Sequence, residues 1–219
     1  MDDIDFNKMF EYENNFYLTA TVGRISKFAT HLEFYKRITG LPGEIVECGV
    51  FKGNSLSRLI KFRSLFENCF SRRVIAFDVF GEFPETEFQP DIKRREEFIQ
   101  EAGSKSITRE QMITTLKKNN LSENIELVKG NILVTVPEYL QKNPQLKISL
   151  LHIDVDLYEP TKTVLEFFFP CVVNGGIVVL DDYSAFAGAN KAIDDYFSDK
   201  NVIVQKLSYS NAISYVEKK

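Results

Sequence analysis

Cysteine and histidine are scarce in this 219-residue sequence, which also lacks any excess of basic over acidic residues and any long apolar run. Its three cysteines, Cys48, Cys69 and Cys171, are odd in number and widely spaced in apolar or helical surroundings. That pattern suits neither a disulfide framework nor a zinc knuckle, and it points to a reducing compartment. No stretch approaches the ~18 apolar residues needed to cross a bilayer. The opening segment MDDIDFNKMFEYEN is acidic where a secretory signal would be basic, so a cytoplasmic location is expected. A formal net charge of -4 provides no field for a polyanion, which argues against nucleic acid as a partner and, with no apolar span, against a membrane. Two phosphate-binding signatures are also missing. The dinucleotide fingerprint G-x-G-x-x-G and the P-loop G-x-x-x-x-G-K-[ST] are both absent, which counts against a nicotinamide cofactor and against ATPase chemistry.

What is present is an ordinary globular balance, 44% hydrophobic and 26% charged, in a length that suits one α/β domain spanning 1–219. Leu18, Val22, Ile25, Phe28, Ala29, Leu32, Tyr35 and Ile38 recur at helical spacing, so residues 1–42 are expected to form a helical leader before the first strand. Strands are expected at 43–49, 73–79, 125–129, 147–155 and 176–180. Helices are expected at 54–66, where Asn54 or Ser55 can cap, and at 109–119, 161–169 and 188–197. Thr108 and Gln111 have the spacing of a capping box. Segment 81–107 has no strand character and exceeds a usual α/β connection, so it reads as an insertion with one short helix, placed to act as a lid. At the end, 202–207 and 212–216 are joined too tightly for a crossover helix and must form an antiparallel hairpin.

Ligands of open α/β sheets bind beyond the carboxyl ends of the strands, so residues there carry the functional reading. After the first strand, Gly49 and Gly53 permit a tight turn with a helix N-terminus behind it, where Asn54 and Ser55 stand; this suits a methionine-type carboxylate, though a plain turn is the bland alternative. After the second strand, Asp78 can accept hydrogen bonds from ribose hydroxyls. Gly130 and Asn131 follow the third strand and either meet an adenine ring or simply turn the chain. The most specific place spans two strand ends, with Asp154 in IDVDLY and Asp181 and Asp182 in LDDY. If those strands are neighbours, three carboxylates converge and need a cation, and an oxygen-only set favours Mg²⁺. His152 shares a strand face with Asp154. Asp154 is the expected base for an acceptor hydroxyl and His152 the second choice, while His31 is expected to be structural. Lys52 and Arg58 either steer an anionic acceptor or are solvated. Tyr158 and Tyr183 either shape the acceptor pocket or pack, and Phe167 to Phe169 read as core.

The runs PGEIVECGVFKGNSLSRL, IDVDLYEPT and GGIVVLDDY resemble the macrocin O-methyltransferase (TylF/MycF-type) family, and the likeness extends over about residues 19–197. That resemblance implies a Rossmann-like class I methyltransferase fold, a mostly parallel seven-stranded sheet ending in an antiparallel hairpin. It implies S-adenosylmethionine at Glu47, Gly49, Gly53 and Asp78, and Mg²⁺ at Asp154, Asp181 and Asp182. The expected reaction is O-methylation of a small-molecule hydroxyl, on a sugar or glycoside, by a chain that can form a homo-oligomer. The competing readings are a cofactor-binding protein without catalysis, against which the three aspartates count, and a dinucleotide-dependent oxidoreductase.

Overall fold

The structure, a computed structural model, describes residues 4–219, so the first three residues of the expected helical leader lie outside the described residues. The leader forms two helices, α1 (Met9–Thr19) and α2 (Val22–Ile38), broken where Ala20 and Thr21 become extended. The strands and helices then alternate: β1 (Glu44–Cys48), α3 (Asn54–Phe66), β2 (Val74–Asp78), α4 (Gln89–Ala102), α5 (Arg109–Lys118), β3 (Ile125–Lys129) and α6 (Ile132–Lys142). They continue as β4 (Ile148–Ile153), α7 (Tyr158–Phe168), β5 (Val172–Leu180), α8 (Ala187–Phe197), β6 (Gln205–Lys206) and β7 (Ser214–Glu217).

The seven strands lie in the order β3-β2-β1-β4-β5-β7-β6. The first five are parallel, and β7 runs antiparallel to both β5 and β6. Side chains alternate across each strand, which gives the sheet two apolar faces and the protein three layers. Ile45, Leu150 and Val179 pack with Phe34, Leu56 and Met112 of α2, α3 and α5. Val46, Leu151 and Val178 pack with Val136, Val164 and Ile193 of α6, α7 and α8. Buried Phe168 and Phe169 join this second face, whereas Phe167 stays partly exposed.

Several local expectations change. Helix α6 breaks the sequence pattern because Pro137 and the β-branched Ile132, Val134 and Val136 disguise it. Its buried residues Ile132, Val136 and Tyr139 nevertheless keep the helical spacing of four and three. Helix α7 starts at Tyr158, three residues early, with Pro160 in the first turn, where a missing N–H leaves no broken bond. The N-cap of α3 is Gly53 with no side-chain cap, so neither Asn54 nor Ser55 plays that part. The Thr108–Gln111 capping box does form. The first strand of the hairpin shrinks to two residues.

The insertion is more ordered than its composition suggests, for it holds the 14-residue α4. Buried Asp91 anchors it by accepting from Tyr158 N at 3.2 Å and Gly188 N at 2.7 Å, so one carboxylate meets the first turns of both α7 and α8. A Cβ on Gly188 would lie 1.9 Å from that carboxylate, so only glycine admits the contact. At the opposite edge, Arg72 ties α2 and β4 to the loop before β2. Its guanidinium donates to the carbonyls of Ile38 and Gly43, to Ser149 Oγ and to Glu67, and both charged partners are nearly enclosed. Removing one member of such a pair strands the other charge. Arg72→Met should therefore lower unfolding stability in urea by about 3–5 kcal/mol. A loss below about 1 kcal/mol would mean that Glu67 finds solvent when its partner is removed.

Candidate active site

The register of three neighbouring strands assembles the site. Cys48, Ile153 and Leu180 are aligned across β1, β4 and β5. The residues that follow continue the ladder, with Asp154 N bonded to Cys48 O at 2.9 Å and Asp181 N to Ile153 O at 3.0 Å. The Gly49 turn and the aspartate segments consequently open into one cavity of about 1530 Å³. Residues of α2, α3 and the 81–107 segment form its walls.

Gly49 adopts φ +91°, and a Cβ there would fall 1.6 Å from Asp154 O, so the loop passes directly over the next strand's backbone. The loop is held by Asp78, which accepts from Val50 N (2.7 Å) and Phe51 N (3.1 Å) through one oxygen and from Phe80 N (2.5 Å) through the other. Asp78 borders the cavity but spends most of its acceptor capacity on the chain itself. Gly49, Asn54, Ser55 and Asn131 also border it, and Asn131 caps α6 by accepting from Leu133 N. Glu47, Gly53 and Gly130 do not line it. Glu47 is buried beneath the loop, where it accepts from Ser55 Oγ and faces His152 Nδ1 at 3.4 Å. Gly53 and Gly130 contribute only the turn conformations, at φ +80° and +149°.

The acidic set divides differently from the sequence expectation. Consecutive residues at a strand end point to opposite faces, so Asp181 and Asp182 part company. Asp181 turns toward the α2 face, where Lys27 contacts one oxygen and His152 Nε2 and His31 Nε2 stand 3.6 and 4.0 Å from the other. Asp182 turns the other way and accepts from Asp156 N at 2.8 Å. The carboxylates that approach one another, with oxygens within 4.8 Å, are those of Asp154, Asp156 and Asp182. Asp156 is the residue that the sequence reading passed over. It sits two positions past Asp154, where strand alternation would carry it along the same face, and a left-handed φ of +62° turns it back toward Asp182.

Charge follows this division. Burial, then the charge of Asp181, lifts Asp154 to about 8, and burial lifts Asp156 to about 7. Burial and the neighbouring carboxylates raise Asp182 well above the ordinary range. Asp181 moves the other way. Burial opposes its ionisation, but His152 and Lys27 outweigh it and hold the carboxyl low. His152, although burial works against its charged form, is raised to about 10 by Asp181 and Glu47. Burial and the charge of His152 push His31 well below its usual value. One group is thus a charge-balanced Glu47–His152–Asp181–Lys27 row, and the other a set of crowded acids with no internal cation. An oxygen-only set of this kind fits a hard divalent ion.

A family profile described as macrocin-O-methyltransferase (TylF) matches residues 22–212. The chain belongs to this family. It is 30% identical over 159 residues to an 8-demethyl-8-(2,3-dimethoxy-alpha-L-rhamnosyl)-tetracenomycin-C 4'-O-methyltransferase of Streptomyces olivaceus, covering 72% of this chain and 59% of that protein. The chain therefore spans about six-tenths of the length of this curated relative. Among solved structures it is similar to a calicheamicin methyltransferase, with TM-score 0.77, 26% identity and coverage of 98% of this chain and 86% of the other. The apo structure of the same protein, described as a TDP-rhamnose 3'-O-methyltransferase of calicheamicin biosynthesis, gives TM-score 0.70, 27% identity and the same coverage. The strand order with its terminal antiparallel pair is that of the class I methyltransferases.

Within the TylF-family framework, both tyrosines beside the aspartates tie down α8. Tyr183 donates to Asp194, and Tyr158 stacks on Phe88 and reaches Asp195. Tyr183 also borders the cavity. His31, expected to be structural, is buried with its ring 5.0 Å from that of His152, and it reaches the cavity wall. Asp78 yields the sharpest consequence, because three backbone N–H groups depend on it even without ligand. Asp78→Asn should lower apo stability by about 1–3 kcal/mol in urea unfolding. Its affinity for S-adenosylhomocysteine, measured calorimetrically, should fall with it. Weakened binding with unchanged apo stability would instead make Asp78 a ribose contact alone.

Proposed function

We propose that the chain is a single-domain, S-adenosylmethionine-dependent O-methyltransferase that acts on a sugar hydroxyl of a small molecule and uses Mg²⁺ at its acidic set. The carrying observation is that the Gly49 loop and the Asp154, Asp156 and Asp182 carboxylates share one cavity at adjacent strand ends. Its relatives' printed activities, a 4'-O-methylation in a rhamnosylated tetracenomycin and a 3'-O-methylation of TDP-rhamnose, support a deoxysugar acceptor. When bound, S-adenosylmethionine supplies an electrophilic methyl group and Mg²⁺ supplies Lewis acidity toward a diol.

The chain's own residues have four tasks. The 49–55 turn, Asp78 and Asn131 seat the cofactor. Asp154, Asp156 and Asp182 would hold the cation. Asp154, at the cavity floor, takes the hydroxyl proton, a role for which His152 is poorly placed. His152 is 1% exposed, with its two nitrogens turned to Glu47 and Asp181. The 81–107 segment acts as the lid. Its residues 83–88 form no regular structure and all but Phe88 border the cavity, whereas α4, which also lends Arg94 and Phe98 to the lining, is anchored by Asp91.

The metal assignment can be tested on any competent acceptor drawn from a panel of nucleotide sugars, glycosides and catechols. Excess chelator should abolish methyl transfer and leave S-adenosylhomocysteine binding intact. Asp154→Asn should lower turnover about 10²–10⁴-fold. Asp156→Asn and Asp182→Asn should raise the Mg²⁺ concentration needed for half-maximal rate, with Asp181→Asn affecting it less. A larger effect from Asp181→Asn than from Asp156→Asn would return Asp181 to the ligand set, and full activity in chelator would remove the metal.

For the lid, hydrogen exchange across 83–88 should slow when cofactor and acceptor are both present, while α4 stays unchanged. Equal exchange with and without ligands would leave the segment a fixed wall.

A further inference from the structure

Five cationic side chains border the cavity, with Lys52 on the loop after β1, Arg94 on α4 and the other three on the α2–α3 wall. Arg24 and Lys27 stand one turn apart on α2, and Arg58 lies one turn beyond Asn54 on the facing side of α3. The acidic residues Glu85, Glu87 and Glu159 border the cavity from the lid segment and the start of α7. Of these five cations, Lys27 is already neutralised by Asp181, Arg94 pairs with Glu97 and Glu101, and Lys52 donates to the Lys105 carbonyl. Arg24, which is exposed, and Arg58 are left: among the described residues neither guanidinium makes an ion pair of 4.0 Å or less, a hydrogen bond or a ring contact, although both line the cavity. Arg58 is moreover partly buried, and a guanidinium that gives up water without gaining a partner is a cost that a ligand anion would remove. Other charges act on it only from a distance. Burial lowers its pKa from the usual guanidinium value, Asp181 and Glu47 pull it back up, and Arg24 adds a smaller lowering.

We propose that Arg24 and Arg58 form an anion-binding subsite that holds the diphosphate of a nucleotide-linked sugar acceptor. The inference rests on the methyltransferase reading and adds the acceptor's chemical class to it. Guanidinium groups bind phosphate oxygens bidentately, and two unpaired ones match the two charges of a diphosphate. The competing anion is the methionine carboxylate of the cofactor, which carries a single charge beside its own ammonium and would leave one arginine unmatched. A sugar whose diphosphate is held on the α2–α3 wall would extend from it toward the carboxylates on the floor.

The test is calorimetric titration of the full chain with thymidine diphosphate and, separately, with S-adenosylhomocysteine, for the native protein, Arg24→Gln, Arg58→Gln and Arg58→Lys. We expect the nucleotide Kd to rise at least about tenfold in each Gln variant, with Arg58→Lys between them and the native protein. The S-adenosylhomocysteine Kd should stay within about twofold, and nucleotide affinity should fall with salt. The opposite pattern, S-adenosylhomocysteine weakened about tenfold with the nucleotide unaffected, would assign the arginines to the cofactor and overturn the proposal. So would no nucleotide binding by the native protein at about 1 mM. If Arg58→Gln fails to fold by circular dichroism, Arg24→Gln and Arg58→Lys carry the comparison. Failure of the nucleotide arm with S-adenosylhomocysteine binding intact leaves the methyltransferase reading standing, whereas loss of the latter in the native protein would remove both.

Discussion

The site depends on one close approach of main chain to main chain. Gly49 passes over Asp154 so tightly that a methyl group on it would sit 1.6 Å from that residue's carbonyl oxygen. The approach is possible because β1 and β4 are parallel neighbours in matched register, and because the chain leaves both strands at the same edge. One contact therefore fixes the Gly49 turn relative to the first carboxylate of the acidic set. Asp78 stiffens it from the other side by collecting the N–H groups that the turn would otherwise leave unpaired. Under the proposed function, methyl transfer is an in-line displacement that demands alignment between two bound molecules, and this geometry would set their platforms at a constant separation.

Beneath that platform the protein separates charges that balance from charges that do not. Glu47, His152, Asp181 and Lys27 alternate in sign across the face covered by α2 and α3. Such a buried row is tolerable because each charge has an opposite neighbour. Asp154, Asp156 and Asp182 have no such neighbour among themselves, and burial makes their simultaneous ionisation costly. Folded proteins retain such arrangements where something else completes them. The contrast between neighbouring groups built from similar residues supports a cation-binding role for the second and a structural role for the first.

This contrast also marks where sequence reasoning stopped. The parallel alternation and its antiparallel ending were legible because the tight hairpin rules out a crossover, and the strand-end aspartates were legible because parallel sheets gather ligands there. The sidedness of the aspartates was less so. Asp181 and Asp182 were read as a pair although a period of two sends them to opposite faces, and Asp156 returns only through a backbone angle that aspartate seldom adopts. Glu47 sits in a run that resembles a cofactor motif, yet its place in the strand directs it under the loop. Helix α6 was hidden because its propensities oppose its environment: β-branched residues and Pro137 weaken an isolated helix, whereas burial of Ile132, Val136 and Tyr139 on the sheet holds this one.

The strand-end turns and the cavity walls are held in place by different constraints. Turns at strand ends are constrained by register, by glycine sterics and by buried charge, so few sequences can supply them. The walls, formed by α2, α3 and the 81–107 segment, are constrained only by anchoring. Asp91 secures the insertion through two backbone N–H groups, and Thr86 and Phe88 add contacts to Glu159 and Tyr158 at the start of α7. Arg24 and Arg58 on the α2–α3 wall, and Glu85, Glu87 and Glu159 on the lid segment and the start of α7, impose a direction on any polar acceptor that enters between them, while Arg94 on α4 is held by its own glutamates.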